Sequence, residues 1–269
     1  MTDAQPVKDI QKRMWSLGDY RELARQFEPT AVALVEACGV EPGMEVLEVA
    51  AGTGNLALAA ARRGARVVAS DLTPRMVELG RERSAAEGLD IEWLEADAED
   101  LPFDDGRFDI AASTFGAQFA PRPQVAAAEL FRVVRSGGMV GLANWTPQGY
   151  LGRQIEIASS YAPPMPPAGI PSPLLWGEPE VVRERLGQLA GSVELRPRMV
   201  PTRFDSKQAA REFQERYNGP LIALRNTLPP ERYAALMTQF GELVDQFNQA
   251  TDGTVAIDVE YLLVVASKP

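Results

Sequence analysis

The segment EVLEVAAGTGN, residues 45–55, decides the fold. A run of strand length ends in small residues, Gly52 and Gly54 follow, and the helical pattern LALAAARRG (56–64) starts at once. Glycines at such a turn permit positive φ and let a ligand approach the backbone closely. Outward from it the same rhythm repeats. ARVVASD (65–71), IEWLEAD (91–97), FDIAASTF (108–115) and GMVGLANW (138–145) read as strands, and 73–88 and 123–138 read as helices between them. Strands alternating with helices at this spacing imply βαβ crossovers, hence an α/β, Rossmann-like fold with a mostly parallel sheet and helices on both faces.

Upstream, residues 1–30 carry mixed charges and scattered aromatics, predicting one or two short helices outside the core, and a helix from Glu28 stops at Gly39. Downstream of Trp145 the rhythm breaks. Six prolines between 161 and 173 predict a stiff irregular connection over 147–177, either a linker or a lid. Helix 178–190, strand 192–200, helices 206–217 and 229–251 and a last strand 254–268 follow. The residues between the final two strands are too many for a hairpin, so they form a helical insertion before the last strand. Its apolar content implies that it covers a substrate cavity, with a homodimer contact as the other use.

Composition removes several chemistries. The 269 residues hold 27 Lys+Arg against 37 Asp+Glu, a net charge of −10, no histidine and one cysteine. A nucleic-acid partner is not expected, because nothing supplies the attraction to a phosphate backbone. Without histidine there is no Ser-His-Asp or Cys-His triad, no His-ligated zinc and no imidazole base; no metal is expected. Acid–base work falls to Asp, Glu, Tyr or Lys. Cys38 reads as inert filler on an apolar helix face. No apolar h-region opens the chain and no run approaches 18 apolar residues, so no membrane association and a cytoplasmic location are expected.

The strand ends narrow the ligand. A dinucleotide fingerprint is imperfect here, since Ala50 stands at the first glycine of G-x-G-x-x-G and Leu56 or Ala57 falls at the third. No Gly-Lys-Ser/Thr occurs, which excludes a P-loop. Asp71, about twenty residues after the glycines, can accept ribose hydroxyls, as in NAD or in an adenosine without phosphates. Asp97-Ala98-Glu99 ends the third strand, where a carboxylate can meet an adenine amino group. Two acids at successive strand ends with no compensating Arg make a poor pyrophosphate site and a good one for a cation-bearing nucleoside.

EVLEVAAGTGN, VVASDLTPRMVELGRER, EADAEDLPFDDGRFD and AAAELFRVVRSGGMVGLANW resemble, in order, the motifs of class I S-adenosylmethionine-dependent methyltransferases, over roughly residues 40–146. The likeness is to the quinone-pathway C-methyltransferases of menaquinone and ubiquinone synthesis and their small-molecule relatives. It implies a seven-stranded sheet with six parallel strands, the last but one in order antiparallel, and S-adenosyl-L-methionine lying across the carboxyl ends of the first four. It also implies one methyltransferase domain, 1–269: helical cover (1–30), cofactor core (31–146), Pro-rich loop (147–177), helical insertion (201–253) and last strand (254–269).

By that resemblance Gly52, Thr53 and Gly54 lie against the methionine moiety, Asp71 binds ribose, and Leu72 and Met76 pack on adenine. Asp97 and Ala98 hold its edge and Thr114 sits beside the sulfonium, with Ala50, Asn55, Glu99 and Phe115 as further cofactor contacts. Trp15 and Tyr20 are expected to fold over the cofactor. Gln118 and Phe119 lead into the substrate cavity, with Asn144 and Trp145 on its opposite wall; Tyr20 and Trp145 are the candidates for a catalytic part. The acceptor is a small molecule, aromatic or apolar, attacked through C, O or N. The alternatives are an enzyme that binds the cofactor without methylating, such as a cyclase, and an NAD-dependent oxidoreductase.

Overall fold

A computed structural model describes residues 4–163 and 169–269. Seven strands form one sheet: β1 (Glu45–Val49), β2 (Arg66–Asp71), β3 (Ile91–Glu95), β4 (Phe108–Thr114), β5 (Val134–Trp145), β6 (Ser192–Phe204) and β7 (Val255–Ser267). Their order is β3-β2-β1-β4-β5-β7-β6, and β7 alone runs antiparallel to its neighbours. Six strands thus share one direction, as the family resemblance implies. The central parallel strands β1, β2 and β4 are buried on both faces. Val46 packs toward Leu34, Ala57 and Ala60 on one side, while Leu47 and Val49 pack toward Leu130 and Phe131 on the other.

On the first face lie α3 (Glu28–Ala37) and α4 (Asn55–Arg62), and on the second α6 (Pro123–Val133) and α8 (Pro179–Leu186). The helix α5 (Pro74–Ala86) leans on β3 through Trp93, whose indole N–H donates to Ser84 Oγ at 3.1 Å. Ahead of them, α1 (Gln5–Trp15) and α2 (Tyr20–Arg25) are the two short N-terminal helices.

Three expected elements differ. The helix expected over 123–138 stops at Val133, because Ser136-Gly137-Gly138 cannot sustain it; Val134 already pairs with Phe108, and a register shift follows before Ile110 meets Met139. The connection 147–177 is not irregular throughout: α7 (Tyr150–Tyr161) is a proline-free helix burying Tyr150, Gly152 and Gln154. The prolines fall after it, and residues 164–168, the centre of the expected lid, lie outside the described residues. The insertion holds three helices rather than two, α9 (Lys207–Tyr217), α10 (Gly219–Thr227) and α11 (Pro230–Phe247). Pro220 opens α10 with the Asn218 side chain accepting from the Leu221 N–H, and the insertion begins after Phe204, since 201–204 continue β6.

β6 and β7 are longer than the sheet they join. Residues 255–260 of β7 pair only with β6, so the two form a ribbon projecting past Trp145 at the carboxyl edge by about 20 Å. The helices α7, α9 and α11 close over one face of this ribbon. Leu221, Leu224, Leu236, Met237 and Phe240 bury among themselves and against Ile157 and Tyr161 of α7, so these five side chains are covered within the chain.

A Cβ at Gly80 would overlap the Trp93 ring. Gly80→Ala is therefore expected to destabilise the fold by about 1–3 kcal/mol, measured as a lowered urea midpoint; an unchanged midpoint would mean that Trp93 does not hold α5 against β3.

Candidate functional site

Strand order reverses between β1 and β4, and in open α/β sheets ligands bind at the carboxyl ends beside such a switch point. Among the described residues the two non-glycines with left-handed backbone stand there, Ala50 (φ 52°) after β1 and Phe115 (φ 63°) after β4. Strain of this kind persists only where the surroundings over-determine it. A Cβ on Gly116 would run into Ala50, so the two loops interlock. Gly52 (φ 55°) opens onto free space, whereas Gly54 (φ 83°) is backed by Trp93.

Glu48, in the middle of β1, reaches under this turn. Its carboxylate accepts from the N–H groups of Leu56 (3.3 Å) and Ala57 (2.8 Å), the second and third residues of α4. A helix N-terminus that would otherwise attract an anion is thereby filled from within the chain. Burial pushes the Glu48 carboxyl up to about 8, opposed by the two N–H donors. The turn is held from outside by Arg83, which donates to Thr53 O and Oγ1 (3.2 and 3.0 Å), Asn55 Oδ1 (2.9 Å) and Glu28 (2.6 Å). Asn55 in turn donates to Ala24 O at 2.7 Å. Arg83, in the charged stretch 81–87 of α5, is thereby largely withdrawn from solvent.

Asp71 lies buried below Gly52, accepting from the Gly52 and Thr73 N–H groups at 2.8 Å each. Desolvation raises its carboxyl above the ordinary range, against those two donors. Leu72 and Asp97 line a recess of about 320 Å³, walled on its other side by Gln5, Lys8 and Lys12 of α1. Met76 is buried in the first turn of α5, and Ala98 packs below on the second face.

The two acids after β3 are not left uncompensated. Lys8 reaches Asp97 and Glu99 at 2.5 Å each, and Glu99, with no exposed side-chain surface, also takes Arg122 Nε at 2.8 Å and the Arg122 N–H. The expectation of Glu99 as a cofactor contact meets a carboxylate with both oxygens engaged inside the chain. Neither Lys8 nor Arg122 stood out in sequence, because only the fold brings them to these acids.

Beyond Thr114, whose Oγ1 is buried without a partner among the described residues, the aromatic residues form two groups. Phe115 stacks on Trp145 at 3.4 Å, with Phe27 edge-on to both (5.8 and 5.0 Å) and Tyr261 edge-on to Phe115. Trp15 sits edge-on to Tyr20 and Phe119. Gln118 braces the loop between the groups, donating to Phe115 O (2.9 Å) and accepting from the Trp145 N–H (3.2 Å). Asn144 and Trp145 do not share a wall. Strand alternation sends Trp145 to the face of Ala143 and its neighbour Asn144 to the face of Leu142. Tyr20 has its phenol raised well above its usual range by desolvation, so it remains protonated at neutral pH and is no base.

Residues 47–142 match the family model described as a methyltransferase domain. An uncharacterized protein of Mycobacterium tuberculosis is 38% identical over 268 residues, 98% of this chain and 96% of its own. The demethylmenaquinone methyltransferase of Clavibacter sepedonicus is 39% identical over 115 residues, 43% of this chain and 46% of that protein. This chain belongs to the class I S-adenosylmethionine-dependent methyltransferases.

Among solved structures, the YcgJ protein of Bacillus subtilis superposes with a TM-score of 0.59 at 16% identity, over 89% of this chain and 98% of that one. The [4+2]-cyclase SpnF does so with 0.55 at 19%, over 90% and 80%. At those identities they speak for the fold. S-adenosylmethionine is the methyltransferase cofactor, and the crevice fits it: open space over Gly52, α4 N–H groups already taken by Glu48 and so closed to a pyrophosphate, a recess beside Leu72 and a Thr114 hydroxyl without a partner among the described residues.

A second, mostly apolar cavity of about 180 Å³ lies under the insertion of this chain, floored by Val255, Ile257 and Val259 of β7 and roofed by α9 and α11, with Gln26, Gln154 and Gln214 among its polar lining. Phe27, which sequence reading counted only as one of several scattered aromatics, lines it and touches Phe115 and Trp145 on the other side.

Because Glu48 is pushed up to about 8 from 4.5, the folded chain keeps a proton that the unfolded chain releases in that window. Stability is then expected to fall as pH rises from 4.5 towards 8, by up to about 1 kcal/mol per pH unit, with the slope reduced in Glu48→Gln. Urea unfolding at pH 5, 6.5 and 8 measures it, and an undiminished slope in the variant would place the proton elsewhere.

Proposed function

We propose that this chain transfers a methyl group from S-adenosylmethionine to a small-molecule acceptor standing against the Phe115–Trp145 wall. The observation that carries the choice of cofactor is Glu48 on the N-terminus of α4. A nicotinamide dinucleotide sets its pyrophosphate on such helix N–H groups; here they are already bonded to the Glu48 carboxyl, which leaves no donor there for phosphate. In this reading Gly52, Thr53 and Gly54 flank the amino-acid part of the cofactor, Asp71 takes the ribose, Leu72 and Asp97 the base, and Thr114 lies beside the sulfur.

The cofactor supplies an electrophilic methyl on a sulfonium whose departure leaves a neutral thioether. What the chain contributes is alignment and exclusion of water. The stacked Phe115 and Trp145 present aromatic faces that also favour a nearby cation. Neither Tyr20, held protonated, nor Asp97 and Glu99, engaged by Lys8, is placed as a base, and there is no histidine. The new bond forms at an acceptor C, O or N as the sulfur–methyl bond breaks, and the acceptor's proton passes to solvent.

Titration with S-adenosylhomocysteine and with NAD tests the cofactor: the first is expected to bind and the second not. Asp71→Ala is expected to weaken S-adenosylhomocysteine roughly ten- to a hundred-fold, the loss of about two hydrogen bonds to ribose. Formation of S-adenosylhomocysteine from S-adenosylmethionine with a bound acceptor tests transfer; product without it would favour a cyclase-type use of the cofactor.

A further inference from the structure

The cavity beneath the insertion describes its ligand by size, polarity and charge. Its volume is about 180 Å³, and an apolar cavity of roughly 150 Å³ accommodates benzene. The floor is aliphatic, from alternate residues of β7, and Phe240 of α11 and Phe204 of β6 add aromatic surface. Into this apolar space β6 contributes Thr202, 7% exposed, whose hydroxyl is buried without a partner among the described residues. A buried hydroxyl left unpaired is costly unless something bonds to it.

The mouth carries two cations that are already answered. Lys207 pairs with Asp245, and Arg211 with Glu215 at 3.3 Å. A carboxylate or phosphate entering would have to displace an internal partner in each case. The cavity also borders the Phe115–Trp145 pair, because Phe27 lines it and stands 5.0 Å from Trp145 and 5.8 Å from Phe115, ring centre to ring centre.

We infer that the cavity is the acceptor subsite and that the acceptor part it holds is an uncharged single-ring aromatic of about seven to eight non-hydrogen atoms, with one hydrogen-bonding group met by Thr202. The inference rests on the methyltransferase reading, which supplies the reason for an acceptor to lie beside Phe27. It narrows "small molecule" to a size, a charge and a polar contact.

Three probes on the S-adenosylhomocysteine-loaded protein test it: p-cresol, toluene and 4-methylbenzoate, followed by calorimetry or ligand-observed NMR. p-Cresol is expected to bind, toluene roughly three- to ten-fold more weakly for want of the hydroxyl, and 4-methylbenzoate at least about ten-fold more weakly than p-cresol. Thr202→Val keeps the side-chain shape and should bring p-cresol and toluene to equal affinity. Ala210→Phe fills the space from α9 and should abolish binding of both while the S-adenosylhomocysteine affinity stays within two-fold. Should Ala210→Phe fail to fold, the p-cresol to toluene ratio in Thr202→Val decides alone. Binding of 4-methylbenzoate equal to that of p-cresol, an unchanged ratio in Thr202→Val, or no probe binding to a protein that does bind S-adenosylhomocysteine would overturn the inference. Absence of S-adenosylhomocysteine binding itself would instead remove the methyltransferase reading beneath it.

Discussion

A carboxylate inside a parallel strand is an expensive thing to bury, and Glu48 is tolerated because two helix N–H groups have no other partner. A side-chain cap normally comes from the residue just before the helix. Here that residue is Gly54, left-handed and without a side chain, so β1 supplies the acceptor from below. Much of the ligand end follows from this. The turn between β1 and α4 is held down from beneath, Ala50 is forced into the left-handed region, and Arg83 is left to clasp the upper side through Thr53 and Asn55. The crevice loses its seat for phosphate, because the N–H groups most attractive to it are already bonded.

The molecule builds its two recesses from different parts of the chain. Residues before Trp145 build the nucleoside crevice on parallel strands, and residues after it build the apolar cavity on an antiparallel ribbon with helices laid over it. The matches divide in the same way: the family model stops at 142, and the Clavibacter enzyme aligns with less than half of this chain. Contact between the halves runs through a small aromatic cluster, Phe27 and Tyr261 around the stacked Phe115 and Trp145.

Sequence reading did well where periodicity and glycines speak and poorly where partners come from far along the chain. The strand rhythm to Trp145, the turn at Gly52 and Gly54 and the acids at 71 and 97 were all visible. Glu48 had a signal, an acid flanked by Leu47 and Val49 in a strand buried on both faces, but its partner lies across a turn. Lys8 had none, since a lysine on an amphipathic helix is ordinarily solvated. The helix α7 was masked by the prolines that follow it, and Asn144 was grouped with Trp145 because adjacency in sequence hides alternation across a strand.

The ion pairs of Lys8 also order events in time. Its partners lie 89 and 91 positions downstream, and Gln11 donates to Phe119 O at 2.8 Å, 108 positions away. On the ribosome α1 emerges before the wall it closes, since β3 and the loop after β4 have still to be made. Met14 and Leu17 present backbone oxygens where a Cβ on Gly219 would collide, so its final seat forms later still. A helix made before its partners can seat only after them, and a segment held by such long-range contacts is also one that can lift while the sheet beneath stays whole.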